Sequence, residues 1–275
     1  MNNAERIANL KAEKYQELFG VNKTTFKAML EILEADYRRK HKQGGRPPKL
    51  SVLDKLIIML QYYKEYRTME CVAFDYGVRK STICDAIHWA EETLIADGRF
   101  HLPSKRALLG DDSIEVVILD VTECETERPK KKQKRYYSGK KKRHTLKLLI
   151  VIDAKTRRII CIAICGGRKH DFRLFCESGI CFRTETEALA DKGFIGIQHI
   201  HENSTVPMKS SKKNPLTKEE KKRNAEISKR RIYIEHTNRL IKRFHILSSR
   251  YRNKQKRFGL RASLICGIYN FQYAV

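Results

Sequence analysis

The first hundred residues carry apolar side chains at intervals of three and four positions, the spacing of one buried face of an α-helix. Three stretches show the pattern most clearly: Phe26, Met29, Leu30 and Leu33; Leu53, Leu56, Ile57 and Leu60; and Ile83, Ala86, Ile87, Ala90 and Leu94. Glycine and proline at residues 44–49 interrupt the pattern and predict a linker. Residues 1–110 are therefore predicted to form an all-α region.

The order of these helices is typical of a helix-turn-helix unit at about residues 51–98. Ser51 and Asp54 have the spacing of a capping box at the start of one helix. A short helix is expected at residues 69–75, then a glycine-containing turn at residues 76–78. The turn would place four side chains at the start of a DNA-recognition helix: Arg79, Lys80, Ser81 and Thr82. An ordinary helical bundle with a glycine-stopped connection is the alternative.

From residue 113 onwards the pattern changes to short runs of apolar and β-branched residues, which predict strands. The predicted strands cover residues 115–121, 145–152, 158–164 and 187–190, with a helix near residues 171–176. The first three strands are expected to be successive and antiparallel. Residues 111–275 are therefore predicted to form a mixed α/β domain that follows the helical region.

Three acids have contexts that suggest a shared site. Asp120 follows the apolar run at residues 116–119, Asp191 follows residues 188–190, and Glu235 lies in a basic helical stretch. Acids at strand ends and on a helix can together hold two divalent ions, and magnesium prefers such oxygen ligands. We therefore expect Mg²⁺, or Mn²⁺, and a reaction at phosphodiester bonds. For any one of these acids, a role as a helix cap or turn residue is the alternative.

The helix that carries Glu235 is predicted to have one buried and one charged face. At about 100° per residue, Arg231, Arg239 and Lys242 project within about 40° of Glu235. The opposite, buried side would carry Tyr233, Leu240, Phe244 and Leu247. An acid ringed by cations suits a site that holds both a metal and a phosphate backbone. A solvated ladder of i,i+4 salt bridges is the alternative.

The net charge of +25 points to a polyanionic partner. Residues 1–110 carry 19 Lys+Arg and 14 Asp+Glu, whereas residues 111–275 carry 38 and 18. The excess therefore lies in the segment that contains the three acids. A membrane-surface or ribosomal protein can share this charge, but neither needs acids at those positions.

The most basic segment, residues 128–143, connects the first two predicted strands through a turn at residues 138–139. Ten of its sixteen residues are Lys or Arg. Burying so many cations would be prohibitive, so we expect an exposed DNA clamp close to the active site. Its principal lysines are Lys130, Lys131, Lys132, Lys140, Lys141 and Lys142. Tyr136 and Tyr137 would stack on bases or brace the hairpin, and a solvated charge run or localisation signal is the alternative.

The eight cysteines include no Cys-x-x-Cys pair, although a zinc site with His170 or His199 stays open. Buried cysteines in a reducing compartment are the more usual interpretation. The sequence also shows no signal peptide at its start and no apolar run long enough to span a bilayer. We therefore expect a soluble, cytoplasmic protein.

Five motifs together carry a resemblance to a known family. They are Leu119-Asp120-Val-Thr122-Glu123, Tyr136-Tyr137-Ser-Gly139-Lys-Lys-Lys-Arg-His144-Thr145, Gly167-Arg-Lys-His170-Asp171, Ala190-Asp191-Lys192-Gly193-Phe194 and Arg231-x3-Glu235-x6-Lys242. They cover about residues 113–250. With the helix-turn-helix before them, they resemble the DDE transposases of bacterial insertion sequences, within the insertion sequence five family.

This resemblance implies a ribonuclease-H-like catalytic domain at residues 111–275, with Asp120, Asp191 and Glu235 as metal ligands. It also implies that Arg231 and Lys242 contact DNA near the scissile phosphate. One position departs from the family signature: Ser228, three residues before Arg231, replaces a tyrosine. Roles that need this tyrosine, such as stacking on an unpaired base, are therefore not expected there. A direct catalytic role is not the preferred interpretation for Asp171, which suits a helix start, or for Glu123, expected in an exposed loop.

The leading hypothesis is a transposase that binds terminal inverted repeats of double-stranded DNA, cleaves with two metal ions and joins the 3′-hydroxyl ends to target DNA. We expect it to act as a homodimer in a synaptic complex. The alternatives are a nuclease of the same fold without strand transfer and a domesticated, non-catalytic DNA-binding regulator.

Overall fold

The computed structural model describes residues 3–42, 44, 48–210 and 215–273. The chain divides into two compact units. Unit 1 comprises Met1–His101, Lys242–Ser249 and Arg257–Gln272, and unit 2 comprises Leu102–Ile241, Arg250–Lys256 and Tyr273–Val275. Residues 45–47 of the predicted linker lie outside the described residues. Within the described ranges, no helix has the length and apolarity needed to cross a membrane.

Unit 1 is helical in its described part, as predicted. Its helices are α1 (Asn3–Ala8), α2 (Ala12–Phe19), α3 (Lys23–Lys40), α4 (Val52–Glu65), α5 (Met69–Asp75), α6 (Lys80–Asp97), α11 (His245–Ser248) and α12 (Phe258–Tyr273). Ser51 forms the predicted capping box, since its hydroxyl accepts from Asp54 N–H and the Asp54 carboxylate accepts from Ser51 N–H. Helices α5 and α6 are joined by a turn in which Gly77 adopts a φ of 60°. The predicted face of α6 is buried.

Two segments near the end of the chain complete unit 1, whereas the sequence predicted one continuous domain over residues 111–275. The ring of Phe244 packs so closely against Gly20 that a Cβ there would approach Phe244 Cε1 to 2.8 Å. Gly267 lies even closer to the backbone of Phe100, since a Cβ there would lie 1.8 Å from its carbonyl oxygen. These close approaches build α11 and α12 into the helical core.

Unit 2 contains a mixed sheet with the predicted antiparallel start. Its strands are β1 (Val116–Glu125), β2 (Tyr137–Ser138), β3 (Arg143–Asp153), β4 (Ile159–Gly166), β5 (Glu187–Leu189) and β6 (Ser204–Thr205). Strands β1, β3 and β4 form antiparallel pairs, whereas β5 pairs with β1 and β6 pairs with β5 in parallel. The main order is therefore β4–β3–β1–β5–β6, and short β2 pairs with the start of β3.

Helices of unit 2 accompany both faces of this sheet. They are α7 (Ala107–Gly110), α8 (Gln133–Tyr136), α9 (Asp171–Ser178) and α10 (Lys218–Ile241). One core contains side chains from β1, β3, β5 and α9, including Val117, Leu119, Leu149, Val151, Leu174, Phe175 and Ala188. Because side chains alternate along a strand, Ile118 and Asp120 point to the other face, where α10 lies.

Helix α10 is shorter, and rotated, relative to the prediction. It ends at Ile241, and Phe244 lies in the unit 1 core, so one continuous helix through Leu247 is wrong. The buried residues of α10 are Ile227, Arg231, Ile234, Thr237 and Ile241. Tyr233 and Leu240, predicted to be buried, are only half-buried. Packing of the isoleucines against the sheet decided this face.

Candidate active site

Asp120 lies in the middle of β1, whereas the sequence predicted it at the end of a strand. The strand continues to Glu125 because β3 pairs with it as far as Glu125 and Thr145. The shorter parallel partner β5 is paired at Ile118 and Leu189. Two further steps in the same register bring Asp120 beside Asp191. Adjacent strands lie about 4.8 Å apart, so the two carboxylates emerge side by side.

Asp191 follows the end of β5 and begins a short 3₁₀ turn, Lys192–Phe194. Its Oδ1 accepts a 2.8 Å hydrogen bond from Gly193 N–H, which orients the carboxylate. A Cβ at Gly193 would lie 2.9 Å from Asp191 Oδ1 and 2.8 Å from Asp171 Oδ2. A side chain at this position would therefore displace one of the two acids.

Helix α10 contributes two side chains that contact Asp120. Arg231 Nη2 lies 3.3 Å from Asp120 Oδ1, and Asn238 Nδ2 donates to Asp120 Oδ2 at 2.7 Å. These two helix positions lie about 20° apart around the helix axis, so they share one stripe. The sequence pattern did not lead us to predict Asn238 as a site residue. Its spacing of seven positions from Arg231 nevertheless places both residues on one side of a helix.

Glu235 lies on the exposed edge of that stripe. It projects about 40° from Arg231, which is itself buried with 9% exposure. The predicted common exposed face of Arg231 and Glu235 is therefore wrong. Among the described residues, no three Asp, Glu, His or Cys side chains are grouped closely enough to hold a metal ion. The structure thus brings Asp120 and Asp191 together, and Glu235 stays outside the pair.

The charge balance at Asp120 is unusual for a carboxylate with a cationic partner. Burial raises its pKa above the ordinary value, and the charge of Asp191 raises it further. Arg231 and the hydrogen bonds from Val121 N–H and Asn238 lower the pKa of Asp120, but by less than burial and Asp191 raise it. Two neighbouring acids in a partly desolvated position favour a bound cation.

Two polar atoms beside Asp120 fit a site that binds a further group. Asn238 Oδ1 and Arg231 Nε are buried and have no hydrogen-bond partner within the described parts of the chain. Such orphaned atoms are uncommon in folded proteins. Carboxylate and amide oxygens are the donors that Mg²⁺ prefers, so Asp120, Asp191 and Asn238 suit a divalent cation.

A second charged cluster lies next to this site. The buried Lys147 donates to Asp171 Oδ1 at 2.7 Å and lies 4.0 Å from Glu123 Oε1. Asp171 begins α9 as predicted, but its carboxylate binds Lys147. Glu123 lies in β1 with a nearly buried side chain, so the expectation of an exposed loop acid is wrong. A lysine inside the apolar strand was the sequence signal for this cluster.

The predicted DNA-contacting side chains are placed as follows. Arg79, Lys80 and Ser81 are exposed at the start of α6, and Thr82 is half-buried. All six lysines of the basic connection are exposed: Lys130, Lys131, Lys132, Lys140, Lys141 and Lys142. Arg239 is exposed on α10, whereas Lys242 is half-buried and belongs to unit 1.

The basic connection begins farther from Asp120 than predicted and contains α8 and β2. Because β1 continues for five residues beyond Asp120, the connection starts about 17 Å along the strand. The predicted turn is present, since Ser138 O accepts from Lys142 N–H at 2.8 Å. Ser228 is exposed and donates to Asn224 O at 2.9 Å.

Comparison with protein families identifies two matches that cover most of the chain. Residues 119–270, which contain Asp120, Asp191 and Glu235, match the DDE superfamily endonuclease, and residues 48–100 match the helix-turn-helix of the DDE superfamily endonuclease. The chain belongs to the DDE superfamily of transposases. Enzymes of this superfamily depend on metal ions. The match to the helix-turn-helix indicates that the chain binds DNA.

One relative supports the same assignment over nearly the full length. This chain is 44% identical over 272 residues to the "Probable transposase for insertion sequence element IS702" of Microchaete diplosiphon, and the match covers 98% of each protein. No solved structure matches the chain.

Proposed function

We propose that the chain is a transposase of the insertion sequence five family that cuts the ends of its element and joins them to target DNA. The observation that carries this proposal is the pair Asp120 and Asp191 on neighbouring parallel positions, with Arg231 and Asn238 against Asp120. A ribonuclease-H-like fold for unit 2 is part of the proposal. It is supported by three antiparallel strands continued by two parallel ones.

Asp120, Asp191 and Glu235 are the proposed ligands of two Mg²⁺ or Mn²⁺ ions. When bound, such ions activate the attacking water or hydroxyl and neutralise charge on the phosphate. Asn238 holds the Asp120 carboxylate in one orientation, and Gly193 N–H does the same for Asp191. Glu235 lies at the edge of the stripe of α10 that carries Arg231. To join Asp120 and Asp191 at the metal ions, its side chain must point in a different direction from the one it has in this structure.

DNA recognition is proposed for two regions with different tasks. The exposed start of α6, with Arg79, Lys80 and Ser81, is the proposed reader of the terminal inverted repeats. The lysines of the basic connection, with Arg231, Arg239 and Lys242, are proposed to bind the phosphate backbone, which fixes position without reading sequence. Two copies of the chain are proposed to form a homodimer in the synaptic complex.

The proposal is tested by cleavage and strand transfer on DNA that carries the element ends. Asp120→Asn, Asp191→Asn and Glu235→Gln are each expected to lower cleavage about a thousand-fold or more, because the amide keeps the shape but loses the charge for Mg²⁺. DNA affinity without metal should stay within about two-fold. Strong residual cleavage by one variant would remove that residue from the site.

The same assay separates the competing functions. Cleavage without joining of 3′-hydroxyl ends to a second duplex would identify a nuclease. Binding of the repeats without cleavage in the presence of Mg²⁺ or Mn²⁺ would identify a regulator. The two neighbouring acids support a catalytic function, because a DNA-binding regulator does not need them.

A further inference from the structure

Unit 2 contains an open cavity of about 850 Å³ at the basic connection, remote from the acid pair. Two rings line it, Tyr137 and His144, together with the cations Arg128, Lys134 and Arg168. Its volume falls in the range of cavities that bind small molecules. The combination of aromatic faces and cations is the composition of sites that bind single-stranded nucleic acid.

The two rings are held in place by the sheet. Tyr137 and His144 are partners in the pairing of β2 with β3, and their centroids lie 5.6 Å apart at an interplanar angle of 75°. Tyr137 is 43% exposed and lines the cavity, so its side chain is accessible to a ligand there. Tyr136 is half-buried and does not line the cavity. The structure therefore assigns Tyr137, and not Tyr136, to the cavity, a distinction that the sequence alone did not make.

A second cavity of about 520 Å³ shares Arg168 with the first. It has no aromatic lining except His170, and its other cations are Arg135, Lys169 and Arg173. Lys169 and Arg173 both form ion pairs with Glu177. Four cations of the two cavities form no ion pair with an acid in the described residues: Arg128, Lys134, Arg135 and Arg168. This surplus charge is complementary to consecutive phosphates.

We propose that these two adjoining cavities bind an unpaired nucleotide of the DNA strand. The base stacks on Tyr137 in the ring-lined cavity, and the flanking phosphates lie at Arg168 and Arg135. The inference rests on the proposed function, because it requires DNA as the substrate. A base offers a flat π-face whatever its identity, so the site holds a strand without reading its sequence. A paired base is stacked inside the duplex and offers no such face.

The site is distant from the proposed metal ligands. Since His144 lies beyond Thr145, the partner of Glu125, the cavity is roughly 17–20 Å from Asp120 along the hairpin. At about 3.4 Å per nucleotide, that distance corresponds to about five nucleotides of one strand. The cavity would thus hold a strand opened near the cut and not the scissile phosphate.

The test measures binding of the full chain, without metal, to an oligonucleotide of about twenty nucleotides and to the same strand annealed to its complement. Tyr137→Ala should weaken binding of the single strand about ten-fold and of the perfect duplex less than two-fold. Tyr137→Phe keeps the ring and should behave as the wild type. Arg168→Gln should reduce the slope of log affinity against log salt for the single strand by about 0.7.

A base analogue supplies a direct readout. With 2-aminopurine in the single strand, stacking on Tyr137 should quench its fluorescence in the wild type and in Tyr137→Phe, but not in Tyr137→Ala. Far-UV circular dichroism and thermal melting verify that each variant is folded. Equal losses on both substrates, or quenching that survives Tyr137→Ala, would overturn the inference. Failure of the wild type to bind either DNA would instead overturn the proposed function.

Discussion

Two carboxylates, the fully buried Glu91 in unit 1 and the half-buried Asp120 in unit 2, have opposite surroundings. Glu91 is fully buried and accepts from Arg257 Nε at 2.7 Å, Arg261 Nε at 2.7 Å and Tyr63 OH at 3.0 Å. Asp120 has one arginine at 3.3 Å, one amide, and a second carboxylate beside it. The first acid is surrounded by donors, whereas the second shares its position with a like charge.

The difference separates a structural acid from one available for chemistry. Glu91 joins α6 to α12, because both arginines come from the end of the chain. A buried acid with two cations is costly to assemble but more costly to break. At Asp120 the second acid and the orphaned atoms of Arg231 and Asn238 leave the charge unbalanced, which is typical of functional sites.

The largest expected effect comes from removing the charge of Glu91. Glu91→Gln should destabilise unit 1 by about 3–5 kcal/mol, because the fully buried Arg261 and the half-buried Arg257 both lose the charge of Glu91. The single tryptophan, Trp89, lies in α6 and reports unfolding of this unit by fluorescence in denaturant.

Glu92→Gln is the matched control, since its side chain is 62% exposed and it pairs with the same Arg257. Its loss should stay below about 1 kcal/mol. Equal losses for the two variants would contradict a structural role specific to Glu91.

The next effect concerns space at the acid pair. Gly193→Ala should lower cleavage about 10- to 100-fold, because the new Cβ displaces Asp191 or Asp171 and misplaces the site. Stability and DNA affinity should change little. Gly110→Ala, where a Cβ meets nothing within 4 Å, is the control in the same unit. Unchanged kcat in Gly193→Ala would show that Asp191 tolerates the displacement.

A smaller effect is expected from metal binding to the folded chain without DNA. Mg²⁺ at about ten times its Kd should stabilise the wild type by about 1.4 kcal/mol, because binding to the folded state adds to the unfolding free energy. Asp120→Asn should lose this stabilisation, whereas Glu92→Gln should retain it. Thermal melting over a Mg²⁺ titration measures both. An equal rise of Tm in Asp120→Asn would place the ion elsewhere.

The smallest effect is the pH dependence of a third acid, Asp36 in unit 1. Burial alone would raise its pKa, but hydrogen bonds from Lys40, Arg39 and Trp89 outweigh burial and lower the pKa to about 2. Because the folded pKa is depressed, the stabilisation is present above the unfolded pKa of about 3.9 and is lost as the pH falls towards 2.

Asp36→Asn should therefore cost about 1 kcal/mol at pH 7 and flatten the dependence of unfolding free energy on pH between about 4 and 2. Urea unfolding followed by Trp89 fluorescence measures the change. A dependence as steep as that of the wild type would assign it to other acids.

Local pattern alone determined the long helices of unit 1 and the main strands of unit 2. The capping box at Ser51, the buried face of α6 and the first three antiparallel strands follow from side chains within a few residues of one another. The motif at Asp191 also identified a residue that the fold brings beside Asp120. These features are predictable because periodicity, caps and turns act over short stretches of chain.

Only the tertiary structure decided which distant residues meet. The contact of Asn238 with Asp120 joins residues 118 positions apart, and the Glu91 network joins α6 to the end of the chain. The face of α10 was set by its isoleucines packing on the sheet, which turned Arg231 inwards and left Glu235 exposed. Sequence periodicity specifies that a helix has faces, but which face is buried depends on the surface it meets.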